Sequence, residues 1–179
     1  EIPLRLVGSE MCIRDSGGVG HGSLTARQNI DGISMIAVQR IEPSNWGLAY
    51  PLIAQLRKLD EAEFLHRVRR QSHTGYELVG AYLDGKLVGV MGIRPVHTLA
   101  RGAHLHVDDL VVDEAIRGSG AGRALMAYAE ADARARDMGA VFLDARPDAV
   151  AFYEREKYAL HPAPSMKKLI DKDAGGKTP

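Results

Sequence analysis

Residues 104–126 read HLHVDDLVVDEAIRGSGAGRALM, and no other stretch restricts the possible folds of this chain as much. Leu105 and Val107 stand two apart, as do Leu110 and Val112, but Val107 and Leu110 are three apart. A strand buries one face with a period of two, so this pattern needs one extra residue, a β-bulge near Asp108 and Asp109. Such a bulge leaves backbone amides and carbonyls free for an extended, amide-containing ligand. The strand is expected to end near Asp113, after which glycines 118, 120 and 122 alternate between Arg117 and Arg123. Ala121, Leu125, Tyr128, Asp132, Ala135 and Met138 then trace a helix toward Gly139, which reads as its cap. The glycines let successive N–H groups approach a ligand at the helix start, where the dipole adds roughly half a positive charge. Arg117, Gly118, Ser119, Gly120, Ala121, Gly122 and Arg123 together read as an anion cradle, most naturally for a diphosphate.

Two common diphosphate loops do not fit this spacing. A Walker loop needs Gly-Lys-Ser/Thr, and Gly122 is followed by Arg123-Ala124; a dinucleotide fingerprint needs glycine where Arg123 stands. The overall charge argues against another class of partner. Because 23 basic residues balance 23 acidic ones, no net field attracts nucleic acid or an anionic membrane. No apolar run reaches membrane-spanning length, and the opening EIPLRLVGSE lacks the apolar core of a secretion signal. The lone cysteine, Cys12, excludes an intramolecular disulfide framework. A cytoplasmic protein with a small partner is the expectation.

At 179 residues and 45% hydrophobic, the chain suits one ordinary domain plus extensions. Residues 1–34 show no sustained period, and GGVGHGS is linker chemistry. This part is expected to be an unstructured leader or an artefact of sequence assembly, with a natural start at Met35. From there MIAVQRI alternates as a strand, and Trp46, Leu48, Leu52, Ile53 and Leu56 follow at helical intervals, interrupted at Pro51. Asp60 and Glu63 form a capping box for a helix carrying Phe64, Leu65 and Val68, with RVRRQ at 67–71 as its solvated face. Asp84-Gly85 lies between two β-rich runs, the composition of a type I′ hairpin. Ala140 to Leu143 reads as a strand, Asp148 as the cap of a helix, and PSMKKLI as the last strand. The domain is thus expected over residues 35–171, with 172–179 a flexible tail.

The loop Arg117-Gly118-Ser119-Gly120-Ala121-Gly122 fits Q/R-x-x-G-x-G/A and follows Leu110-Val111-Val112. That combination resembles the GNAT superfamily of acyl-CoA-dependent N-acetyltransferases. A second block is similar to the family's A-x-x-F-Y-E-x-x-G-F segment, matched by Ala149, Phe152, Tyr153, Glu154 and Tyr158. Lys157 stands where the family usually has glycine, and Arg146 where many members carry an asparagine that contacts the cofactor. The resemblance implies an α/β fold with a mixed, mostly antiparallel central sheet of about six to seven strands and flanking helices.

It also implies a reaction, transfer of an acetyl group from acetyl-CoA to a primary amine of a small molecule or peptide by direct attack. In that scheme the backbone of Leu110, Val111 and Val112 pairs with the pantetheine arm, and Arg117 through Arg123 hold the pyrophosphate. A backbone N–H in the splay between the strands at Leu110 and Val141 stabilises the oxyanion. Tyr153 protonates the departing thiolate, and Asp109, Asp108 or an ordered water deprotonates the amine, Asp109 being preferred. His104 and His106 share a strand face and suit the surface or the acceptor cleft better than a metal, so no metal is expected. A CoA-binding module that has lost turnover is the alternative reading. Acetyl-CoA and an amine are the expected partners of a monomer or homodimer.

Overall fold

The computed structural model describes residues 35–163 and 165–169. The expected leader, 1–34, and tail, 172–179, lie outside the described residues. Strands β1 (Ile36–Arg40), β2 (Glu77–Leu83), β3 (Lys86–Thr98), β4 (Gly102–Val112) and β5 (Val141–Leu143) form one sheet in that order. Neighbouring strands are antiparallel except β4 and β5, which run parallel. The helices are α1 (Tyr50–Leu56), α2 (Glu61–Ser72), α3 (Ala121–Ala135) and α4 (Val150–Arg155).

Local chemistry explains most boundaries. Asp84 and Gly85 both have positive φ, 50° and 80°, as a type I′ turn between β2 and β3 requires. Pro51 lies in the first turn of α1, where its missing N–H leaves no helix bond unmade, and a 3-10 turn (Pro43–Ala49) takes the upstream part of the expected helix. Asp60 accepts a hydrogen bond from the Glu63 N–H (2.8 Å) and caps α2. β3 outruns β2 beyond Ile93 and keeps only β4 as partner, so Pro95 is tolerated on that edge.

The sheet is covered on both faces. Leu78, Val90 and Val111 point toward Leu52 and Ile53 of α1 and Phe64 and Val68 of α2. Val79, Met91, Ile93, Leu105 and Val107 point the other way, onto Ala121, Leu125, Met126 and Ala129 of α3. Met91 and Leu125 are fully buried, and each such side chain contributes about 1.5–3 kcal/mol relative to exposure. Between β3 and β4 the register slips by one residue. Gly92 faces Asp109 and Ile93 faces Val107, so Asp108 has no counterpart. Leu110 and Val112 thereby return to the α3 side.

Four expectations need correction. Five strands are present among the described residues instead of six to seven. Residues 165–169 form no strand, with Met166 and Leu169 96% and 82% exposed; the prolines at 162 and 164 supply no N–H donors for a ladder. Gly139 is not the cap of α3: Asp137, at φ 55°, takes the left-handed position, while the Gly139 N–H donates to the Ala103 carbonyl (3.1 Å). Asp148 does not cap α4, because Pro147 opens a 3-10 turn (Pro147–Ala149) that feeds the helix, and the Asp148 carboxylate faces Arg146 (3.4 Å).

Candidate active site

β4 and β5 are paired only from Leu105–Val141 to Val107–Leu143. Beyond Val107, β4 keeps β3 on one side and has lost β5 on the other. A cleft of about 740 Å³ opens there, and Tyr76, His106, Asp108, Asp109, Asp144 and Tyr153 are among its lining residues.

The register slip turns two carboxylates into this cleft, and each is held by a cation. Asp109 Oδ1 accepts from Arg57 Nε (2.9 Å) with Arg57 Nη2 at 2.8 Å, and Asp109 Oδ2 accepts from the Tyr76 hydroxyl (3.0 Å). Asp108 Oδ2 accepts from Arg94 Nε (2.6 Å), while its other oxygen is 3.6 Å from His106 Nε2. Burial, then the neighbouring Asp109 charge, pushes the Tyr76 phenol well above its ordinary range, so it donates and stays protonated. Gly92 makes this arrangement possible. A Cβ there meets the Tyr76 hydroxyl at 1.9 Å, so the phenol crosses β3 where only glycine leaves room.

Tyr153 lies on α4 across the cleft. Phe152 and Tyr158 pack edge-on against it at 5.1 and 6.1 Å, and burial raises its pKa, so the phenol keeps its proton at neutral pH. The Tyr76 and Tyr158 hydroxyls bond to Asp109 (3.0 Å) and Glu130 (3.4 Å); the Tyr153 hydroxyl has no hydrogen-bond partner among the described residues.

The structure brings Tyr153, Asp109 and Leu110 to one cleft, whereas Val111, Val112 and residues 117–123 lie outside its lining. Leu110, Val111 and Val112 pair with Met91, Val90 and Gly89 of β3. In the loop, Gly118 and Gly120 have φ of 89° and 91°, a conformation open mainly to glycine, and Gly120 precedes α3 with no side-chain cap. The Ser119 hydroxyl accepts from the Ala121 N–H (3.4 Å), so the loop itself engages the first N–H of α3. Ser119 N–H is already spent on the Ile116 carbonyl (3.2 Å), and Ala121 is buried. Arg117 pairs with Glu114 (2.9 Å) and Arg123 with Glu156 (3.0 Å), so both cations must exchange partners to meet an anion. Gly122 is helical and leaves space for Phe152, whose ring a Cβ there approaches to 3.3 Å.

Arg57, Tyr76 and Arg94 were not anticipated from the sequence as parts of this site. Among the described residues no group of three or more His, Cys, Asp or Glu could hold a metal, and no helix is long and apolar enough to cross a membrane.

Comparison with known proteins agrees with this architecture. The chain is 32% identical over 123 residues to YhdJ, an uncharacterised N-acetyltransferase of Bacillus subtilis (strain 168), covering 64% of this chain and 84% of that protein. Among solved structures it is similar to a ribosomal-protein-alanine N-acetyltransferase from Brucella melitensis biovar Abortus 2308, with a TM-score of 0.66, 22% identity, and coverage of 76% of this chain and 100% of that one. It is also similar to glucosamine-6-phosphate N-acetyltransferase from Arabidopsis thaliana, with a TM-score of 0.63, 20% identity, and coverage of 76% and 99%. Residues 39–157 match the acetyltransferase (GNAT) family, and the chain belongs to that family.

Proposed function

We propose that this protein transfers an acetyl group from acetyl-CoA to a primary amine of a small molecule or peptide, by direct attack and without a covalent enzyme intermediate. The observation that carries the proposal is the cleft at the parting of β4 and β5, with Tyr153 on one wall and the slipped strand on the other. In this reading the register slip is the β-bulge that frees the β4 backbone at Leu110, Val111 and Val112 to hold the pantetheine arm. The start of α3, from Arg117 through Arg123, holds the pyrophosphate. Acetyl-CoA supplies the activated thioester.

Tyr153 donates a proton to the sulfur as the C–S bond breaks, a role supported by a phenol that burial keeps protonated. A carboxylate or water was expected to deprotonate the amine, with Asp109 preferred. The hydrogen bonds around Asp109 support a different part for it, holding Arg57 and Tyr76 against the cleft floor. Asp144, also on the cleft wall, is exposed and suits attraction of an ammonium group. The two structural relatives, a ribosomal-protein-alanine N-acetyltransferase and a glucosamine-6-phosphate N-acetyltransferase, support an amine acceptor without selecting its kind.

Release of CoA thiol, followed with a panel of polyamines, aminoglycosides, amino acids and peptide N-termini, tests the proposal. Thiol release that depends on one of these amines is expected. Tight acetyl-CoA binding with no release from any of them makes the protein a binding module instead.

A further inference from the structure

We infer that His106 is a catalytic residue of the acetyl transfer proposed above, its imidazole taking the proton of the acceptor's ammonium group, with Asp108 and Arg94 as positioning residues. The inference rests on that proposed reaction. His106 lines the cleft, with its side chain 15% exposed. Asp108 Oδ1 is 3.6 Å from Nε2, too far for a hydrogen bond to the neutral ring but close enough to pair with the imidazolium that proton transfer creates. Arg94 fixes Asp108 through its other oxygen (2.6 Å), so the partner charge is already in position.

The two nearby carboxylates are poorer bases. Asp109 has both oxygens engaged, by Arg57 and by Tyr76, and Asp108 has one oxygen held by Arg94. Asp108 beside Nε2 favours the tautomer with the proton on that nitrogen, which leaves the Nδ1 lone pair to accept. Burial is the main influence on the ring and lowers its pKa; Asp108 and Asp144 oppose this, while Arg94 and His104 add to it. His106 is therefore neutral at pH 7 and able to accept a proton.

The step balances as follows. The free nitrogen of the His106 ring takes one proton from R–NH3⁺, and the freed amine lone pair forms the C–N bond at the thioester carbon while the carbonyl pair moves onto oxygen. That pair returns as the C–S bond breaks, sulfur takes a proton from the Tyr153 hydroxyl, and the phenolate recovers one from the new amide nitrogen. His106 finally gives its proton to solvent. The products are the acetylated amine, CoA thiol and one proton.

The test uses the full chain, acetyl-CoA and the fastest amine of the panel above. His106→Gln is expected to keep acetyl-CoA affinity and thermal stability, to lower kcat at pH 7 by roughly 10²-fold or more, and to lose the acidic limb of the kcat/KM profile. In the parent that limb is expected below about pH 6.5. Asp108→Asn is expected to move it to lower pH and Arg94→Met to higher pH, because they remove opposite charges from the ring.

An independent readout is the His106 ring titration by NMR without substrates, which should show the same midpoint and the same two displacements. His106→Gln turning over within threefold of the parent with the acidic limb intact would overturn the inference. So would a ring midpoint above about 6.5, or one that ignores Asp108→Asn. If His106→Gln does not fold, agreement between the parent's ring titration and its kinetic limb supports the assignment, and disagreement overturns it. A parent that releases no thiol with any amine removes the proposed reaction, and this inference with it.

Discussion

Gly92 shows how much of the site depends on the absence of one methyl group. The space a Cβ needs there is filled by the Tyr76 phenol on its way to Asp109. Gly92→Ala should expel the phenol and destabilise the protein by about 1–3 kcal/mol. Tyr76→Phe, which keeps the ring and removes one hydrogen bond, should cost about 1 kcal/mol. Urea unfolding of the two variants checks the order, and equal stabilities would mean that the Tyr76 ring has another resting place.

At Tyr153 the hydroxyl can be removed while the ring remains. Tyr153→Phe should leave acetyl-CoA affinity within a few-fold and reduce turnover by roughly 10²-fold. Because burial raises the phenol's pKa, parent turnover should show no fall from Tyr153 ionisation below about pH 10. Steady-state rates and calorimetry at several pH values decide this, and turnover within threefold of the parent assigns Tyr153 to packing. The sequence exposed Asp108 and Asp109 because the apolar phase changes across them. It concealed Arg57, Tyr76 and Arg94 because their contacts to these carboxylates span 52, 33 and 14 residues. Side-chain pairing at such separations is set by the sheet and helix packing, which no local period reports.

Two helices end in the same way, and neither end uses glycine. After α3 the Met138 N–H donates to the Ala133 carbonyl (2.9 Å) and the Asp137 N–H to that of Arg134 (3.1 Å). After α4 the Tyr158 N–H donates to Tyr153 (2.9 Å) and the Lys157 N–H to Glu154 (3.0 Å), with Lys157 at φ 70°. These are paired Schellman bonds around a left-handed residue. Lys157 thus performs the turn that glycine makes more cheaply, and Lys157→Gly should add about 1 kcal/mol of stability. Differential scanning calorimetry should show a rise of about 2–4 °C, and a fall would mean that the lysine side chain contributes more than its backbone strain costs. Element identity was legible where the signal is local, as in the Asp84-Gly85 hairpin and the Asp60 cap. The caps at Gly139 and Asp148 were misread because the chain reaches its left-handed residue two positions before that glycine, and because Pro147 starts a 3-10 turn.

At the scale of the domain, the described residues form a sheet covered on both faces, yet its strands are unequally secured. β3 is paired with β4 over residues 89–98, and both strands contribute buried side chains. β5 is joined to β4 through three residue pairs, and none of Val141, Phe142 and Leu143 is fully buried. Few contacts and one short ladder mean that this seam opens at a lower free energy than the sheet centre. Hydrogen exchange should find the β5 amides unprotected sooner than those of Val79, Val90 and Met91, and equal protection would make the seam part of the global unfolding unit. Saturating acetyl-CoA should slow β5 exchange selectively, because a ligand seated between the strands stabilises the closed state by mass action. The three-residue seam then acts as a breathing joint, so that the width available to an acceptor is a thermally sampled quantity, broadening on warming while the sheet stays folded.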